Sequence, residues 1–453
     1  DKKMVDFKMK LSYGIGALGK DYACAIIYIF LMYYLTDVVG LVPAFVGTLF
    51  LVARLWDAIN DPMMGMIVDN TRSRWGKFRP WILIGTILNA VVLIAMFFKP
   101  NGLEGKMLYA YISVAYILWG MTYTVMDIPF WSMIPALSSD KKEREKIAVI
   151  PRIFASLAWL SIGSFGLPVI GLLGNGNEGR GFSLLAVGIA IFFIFASTLT
   201  VINVKEQIVS DQKAPKVNLK DTFRLIFKND QLVALIGTVL MYNLVAQISG
   251  GVAIYYFKYV IGREALFSVF TGFSGIAEIA ALMAFPMLST KIGRKKVFFL
   301  ACSLPVIGFG LLCLAGYIAP ESATLVAACG IVAKLGSGLS LGISTVMLAD
   351  VVDYGEYKFG SRNESVIFSV QTLLVKSASA VSGWLIGIGL SLVGYVANVQ
   401  QTASAIMGIR SLMIIFPMLL SAMGYVIYKK YYKLNDEYYD EIIEKLAEKR
   451  ANA

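Results

Sequence analysis

Twelve stretches of this chain stay apolar for about 20 residues or more, the length needed to cross a bilayer. They cover roughly 11–35, 44–68, 80–98, 107–133, 151–173, 181–202, 231–257, 265–288, 297–318, 323–349, 366–390 and 405–428. In hydrocarbon each backbone donor and acceptor must be satisfied within its own segment, so these stretches are expected to be helices. The expected class is an all-α membrane protein. Composition agrees: 57% of residues are hydrophobic and 16% charged, against about 45–50% and about 25% for soluble domains. No small-residue cleavage site follows the first stretch, so a removable leader is not expected.

Lys and Arg set the orientation. Thirty of the 41 fall in alternate connections and at the two ends, and five (Lys99, Lys106, Arg180, Lys258 and Arg263) fall on the opposite side. The basic side is the cytoplasmic one. The chain is therefore expected in the cytoplasmic membrane as a multi-pass protein with both termini inside. The net charge of +11 follows from this placement, and no nucleic-acid partner is expected.

The longest polar connection follows the sixth span and divides the chain six and six. The expected organisation is a first six-helix bundle (1–202), a cytoplasmic linker with a short surface helix (203–230), a second bundle (231–428) and a cytoplasmic tail (429–453). Each half carries a basic loop after its second span: Asp69 with Arg72, Arg74, Lys77 and Arg79, then Lys291 to Lys296. Two similar halves suit a transporter that rocks around a central site. Asp69 and Arg72 are candidates for a latch on the cytoplasmic side; the alternative is that these charges are only topogenic.

Several chemistries are excluded. There is no histidine, which removes histidine metal ligands and Ser-His-Asp hydrolysis. Cys24, Cys302, Cys313 and Cys329 lie in apolar spans and read as small buried hydrophobes. Two string matches carry nothing. Gly14–Ile–Gly16–Ala–Leu–Gly19 imitates a dinucleotide fingerprint, but no strand precedes it; glycines in a membrane helix permit close packing. Gly338–Leu–Ser340–Leu–Gly342 imitates a nucleophile elbow inside a span, with no histidine to activate the serine. No enzyme is expected.

What remains is a set of charges inside the spans, costly in lipid and therefore functional candidates. At 100° per residue, Arg54, Asp57 and Asp61 share one face of the second span. With the Asn60 amide they compose a cation site, Arg54 balancing charge when the cation is absent. The alternative is a structural Arg54–Asp57 pair. Lys20 and Asp21 interrupt the first span; the angular step sends Lys20 about 100° from Asp21. Tyr123, Thr124, Asp127 and Trp131 share a face at the end of the fourth span. A carboxylate beside an aromatic plane suits a sugar, the oxygens taking hydroxyl donors and the ring stacking on the apolar face. Pro129 loosens that helix, and Arg152 offers a second polar anchor. The alternative for Trp131 is an interfacial belt residue. Lys376, near Gln371 and Thr372, is the expected counter-charge from the second half. Glu278 and Lys334 are expected to pair with each other. Asp350, Asp353, Tyr354, Glu356, Arg362 and Glu364 look like gate chemistry.

Arg54 to Pro62, Thr71 to Trp81, and Trp119 to Trp131 closely resemble the glycoside–pentoside–hexuronide cation symporters, and among them those that carry melibiose. That family belongs to the major facilitator superfamily. Lys10 to Gly14, Asp353 to Glu356 and Val370 to Thr372 are also similar. The resemblance implies a twelve-helix fold of two pseudo-symmetric six-helix halves. It implies that Asp57, Asn60, Asp61 and Thr124 hold Na+ or Li+, and that Asp21 and Asp127 hold galactosyl hydroxyls. Lys20, Tyr123, Trp131 and Arg152 would line the specificity pocket, with Thr372 and Lys376 from the second half. Asn60 favours Na+ over H+. Three positions depart from the pattern: Leu341 stands where a tryptophan is expected, and Glu278 and Lys334 stand at uncharged positions.

The expected function is symport of an α-galactoside such as melibiose with Na+, Li+ or H+, by alternating access. No cofactor is expected beyond the coupling ion, and the partners are a small sugar, the cation and the bilayer, with a functional monomer. Another glycoside or hexuronide is an alternative substrate. A sodium-coupled lysolipid carrier would have a similar cation site, but Asp21, Asp127, Trp131 and Arg152 favour a polyhydroxylated ligand.

Overall fold

The computed structural model describes residues 6–138, 141–206, 219–360 and 364–453, with all their side chains except those of 62, 66, 69, 135, 141–146, 148–149, 219, 221–223, 364–369 and 371–372. Helices dominate, and no strand occurs among the described residues. The chain divides into two compact units, Asp1–Pro215 and Lys216–Ala453.

The first unit holds α1 (Phe7–Tyr33), α2 (Pro43–Asp69), α3 (Arg79–Met96), α4 (Lys106–Ser132), the single turn α5 (Ile134–Leu137), α6 (Lys141–Gly174) and α7 (Glu178–Asn203). Helix α1 packs between α6 and α7, while α3 joins α4 to α7 and α2 lies along α4. Small residues set these distances. A side chain at Gly14, Gly16 or Gly19 would collide with Phe154, Thr200 or Ala196, so the glycine string is a packing surface. The outer face of α7 stays apolar and exposed at Ile191, Phe195 and Ile202, as a lipid-facing surface requires.

The second unit holds α8 (Leu219–Lys228), α9 (Asp230–Tyr255), α10 (Ala265–Ile292), α11 (Arg294–Ile318), α12 (Ala323–Phe359), α13 (Glu364–Leu392), α14 (Ala403–Arg410), α15 (Phe416–Tyr431) and α16 (Asp436–Ala451). Helix α12 packs against α10 and α11, and α9 against α13 and α15. In the discarded Gly338–Gly342 string, Gly338 lies against the Glu278 backbone and Gly342 against Phe285. All four cysteines are free.

Both units end their first span alike. The α-helix widens into one π turn, Tyr34–Val38 and Tyr256–Val260. Each turn is followed by a glycine at positive φ, +89° at Gly40 and +83° at Gly262, which only glycine adopts without steric cost. The sequences match there too: Tyr33, Tyr34, Val38 and Gly40 against Tyr255, Tyr256, Val260 and Gly262. This internal repeat escaped the hydropathy pattern because it lies at a span end.

Among the described residues eleven helices are long and apolar enough to cross a membrane. Helix α2, with 27 residues, has the length, but Arg54, Asp57, Asn60 and Asp61 dilute its apolar character. Helix α12 has 37 residues, about 55 Å at 1.5 Å per residue. It outruns a hydrocarbon layer of about 30 Å, so its last turns lie outside.

Candidate functional site

Two polar clusters occupy the interior of the first unit. In the first, Arg54 Nη1 lies 3.0 Å from Asp57 Oδ2, with the side chains only 6% and 4% exposed. The pair is therefore dry, where Coulomb attraction is strongest and removal of either partner most costly. Nη1 also donates to the Tyr28 hydroxyl of α1 at 3.0 Å, and the guanidinium carbon stands 5.3 Å from the centre of the Tyr116 ring of α4. Arg54 Nε and Nη2 are buried without an acceptor. Gly120 makes this close approach possible, because a Cβ there would stand 3.3 Å from Asp57 Oδ1 and 3.4 Å from Arg54 Nη2.

One turn further along α2, Asp61 Oδ1 lies 3.0 Å from Thr124 Oγ1. The same hydroxyl lies 3.0 Å from the Gly120 carbonyl. A hydroxyl has one proton, so when it turns to Gly120 both Thr124 Oγ1 and Asp61 Oδ1 present lone pairs. Asn60 beside them is half-buried. Among the described residues no group of three or more acidic, cysteine or histidine side chains gathers in a metal-binding arrangement. Asp61 Oδ1 and Thr124 Oγ1 are thus paired oxygens of the kind a hard cation prefers.

The second cluster centres on Lys20. Its Nζ lies 3.3 Å from Asp21 Oδ2, 3.1 Å from Asp127 Oδ1 and 3.5 Å from the Tyr123 hydroxyl. Lys20 thus serves both carboxylates, whereas the angular step alone had sent it away from Asp21. Four torsions in its stem let the ammonium return to a carboxylate from which its Cβ diverges. The ammonium also stands 5.1 Å from the centre of the Trp131 ring, a cation–π contact. Each carboxylate receives an indole as well. Trp131 Nε1 donates to Asp127 Oδ1 at 3.2 Å, and Trp159 Nε1 of α6 donates to Asp21 Oδ1 at 3.1 Å. Asp21 Oδ2 is buried and accepts no hydrogen bond, for the Lys20 contact is not aligned as one.

The other candidates are placed as follows. Arg152 is exposed on α6, outside the contacts described around Asp21 and Asp127. Lys376 is half-buried on α13 of the second unit. The side chains of Thr372 and Asp69, and all of Arg362, lie outside the described residues. Arg72 is exposed, with Nη1 donating to the Thr71 carbonyl at 2.9 Å. Asp350 pairs with Arg294 of α11, and Asp353 Oδ2 accepts from the Tyr439 hydroxyl at 2.8 Å. Glu356 meets Arg450 at 2.8 Å. The tail helix α16 thus holds the end of α12, a contact not visible in the sequence. Glu278 and Lys334 lie 3.9 Å apart, a loose ion pair within one unit. Trp159, Tyr28 and Tyr116 are residues of the site that the sequence did not single out.

The family model described as MFS/sugar transport protein matches residues 12–436. An isoprimeverose transporter of Lactiplantibacillus pentosus is 32% identical over 94% of this chain and 90% of its own length. The uncharacterized symporter YjmB of Bacillus subtilis is 30% identical over 99% of this chain and 97% of its own. In three dimensions the chain resembles a crystal structure of nucleoside transporter NupG, with a TM-score of 0.66 at 12% identity, covering 93% of this chain and 98% of that one. That likeness concerns the fold alone.

Proposed function

We propose a cation-driven sugar carrier, from the premise that this chain belongs to the MFS/sugar transport protein family and is a multi-pass membrane transporter, not an enzyme. The substrate is an α-galactoside such as melibiose, carried with Na+ across the cytoplasmic membrane by alternating access. Relatives named as a symporter and as an isoprimeverose transporter support the coupled transport of a glycoside.

The observation that carries this reading is Asp21 Oδ2, a buried carboxylate oxygen that accepts no hydrogen bond, the Lys20 ammonium 3.3 Å away not being aligned as a donor. Leaving such an atom unsatisfied costs roughly 1–3 kcal/mol, and more when charged. A sugar hydroxyl supplies the missing donor. Asp127 offers a second acceptor beside the Trp131 ring, and Lys20 keeps the two carboxylates from repelling each other.

Arg54 acts as the stand-in for the cation. While the ion is absent, Arg54 neutralises Asp57. When Na+ engages Asp57, Asn60, Asp61 and Thr124, the guanidinium gives way. Sugar and cation then bind cooperatively, and each raises the affinity of the other by the same factor.

The test is Asp21→Ala. A hydrogen bond to a charged group is worth about 1.5–3 kcal/mol, so melibiose affinity should fall on the order of 10–100-fold. The Na+-induced thermal stabilisation of the purified protein should persist. Unchanged melibiose affinity would remove Asp21 from the sugar site. Tight binding of isoprimeverose with none of melibiose would transfer the site to another glycoside.

A further inference from the structure

Trp159 connects the two clusters. Its Nε1 donates to Asp21 Oδ1 at 3.1 Å. Its ring lies 5.9 Å from the Tyr28 ring, inclined at 36°. The Tyr28 hydroxyl accepts from Arg54 Nη1 at 3.0 Å, and Arg54 holds Asp57 at 3.0 Å. Every link from Asp57 to Asp21 is a direct contact, and all five residues belong to the first unit. Other connections run along α4, which carries Thr124 and Asp127 and stacks the rings of Tyr116, Trp119 and Tyr123 between Arg54 and Lys20. These rings are all held on one continuous hydrogen-bonded helix. The route through Trp159 is made of side chains and has a partner ready to move: Arg54 keeps two buried donors without acceptors.

The indole also occupies something a sugar needs. Of the two Asp21 oxygens, Oδ1 already accepts the Trp159 proton, and only Oδ2 is without a hydrogen bond. A pyranoside that offers adjacent hydroxyls binds a carboxylate best through both oxygens. In this arrangement it has one.

We propose that Trp159 is a positioning residue that makes sugar binding depend on the cation. Without the cation, the chain Asp57–Arg54–Tyr28–Trp159 holds the indole on Asp21 Oδ1 and caps half of the sugar acceptor. With the cation at Asp57, Arg54 is released, Tyr28 and Trp159 shift, and Asp21 presents both oxygens. The inference rests on the reading of the two clusters as cation and sugar sites. A chain of contacts becomes a coupling route only through a coupling measurement.

The experiment compares melibiose affinity with and without Na+ in the purified full-length protein and its variants. Trp159→Phe keeps a ring against Tyr28 and removes only the N–H. Its cation-free affinity should rise on the order of tenfold, while the Na+-bound affinity stays as in the parent, so the ratio falls toward one. Tyr28→Phe keeps both rings and breaks the link to Arg54. Its ratio should also fall, because Tyr28 is no longer tethered to Arg54 and the cation-free affinity rises toward the Na+-bound value. Trp159→Phe with the parent's ratio would overturn the proposal. So would an equal loss of affinity in both conditions, which marks Trp159 as a packing residue. Intact sugar affinity in Asp21→Ala would instead overturn the assignment of the sugar site, and a parental ratio of one would overturn the coupling itself.

Discussion

Lys20 gives the sharpest test of how the second cluster is held. Its side chain is 5% exposed and faces Asp21 at 3.3 Å and Asp127 at 3.1 Å. Two unit charges about 3 Å apart attract by about 5 kcal/mol at an effective dielectric constant near 20. Desolvation of the ammonium offsets much of that gain, but removing one partner from a buried pair costs roughly 3–5 kcal/mol, because the other is left uncompensated. Asp127 is 31% exposed and keeps some solvent screening, so the lower end applies. Lys20→Met, close in length and uncharged, should destabilise the protein by about 3 kcal/mol. Denaturant unfolding of the purified protein in detergent measures it. The specific signature is non-additivity: Lys20→Met with Asp127→Asn removes one carboxylate along with the cation and should recover roughly half of the loss. Independent sites add to within about 0.5 kcal/mol. A double variant that loses the sum of its singles to within that margin would refute the shared-ammonium arrangement.

Two further outcomes follow from the same geometry. Asp61→Cys removes a carboxylate from the proposed cation site, and Na+ should no longer stimulate sugar uptake by reconstituted vesicles; full stimulation would sink the site. Gly85→Ala places a Cβ 2.5 Å from the Met126 backbone nitrogen; since backbone cannot rotate aside, α3 must move off α4, at about 1–3 kcal/mol. A thermal midpoint equal to the parent's would contradict that packing.

The helices were legible because a bilayer permits so few alternatives: an apolar run of span length in this chain can only close on itself. The Arg54–Asp57 pairing was legible because residues three apart on a helix must meet. Lys20 was not, since an angular step fixes where Cβ points and says nothing about an ammonium at the end of four torsions. Trp159 was invisible for another reason. A lone tryptophan in an apolar helix looks the same whether it faces lipid or a carboxylate on α1. Arg152 depends on the same unknown: α6 buries Pro151 and Ala158 and leaves Arg152 exposed. The hold of α16 on α12 joins residues some 90 positions apart, such as Glu356 and Arg450, and no local periodicity reports such a pairing.

Equilibrium binding of melibiose to the purified protein, with and without Na+, tests the central claim most directly. Cation-coupled symport predicts that Na+ raises melibiose affinity and that melibiose raises Na+ affinity by the same factor. Equal melibiose affinity in both conditions would contradict it, and would leave Asp57 and Asp61 as a structural or proton-binding pair.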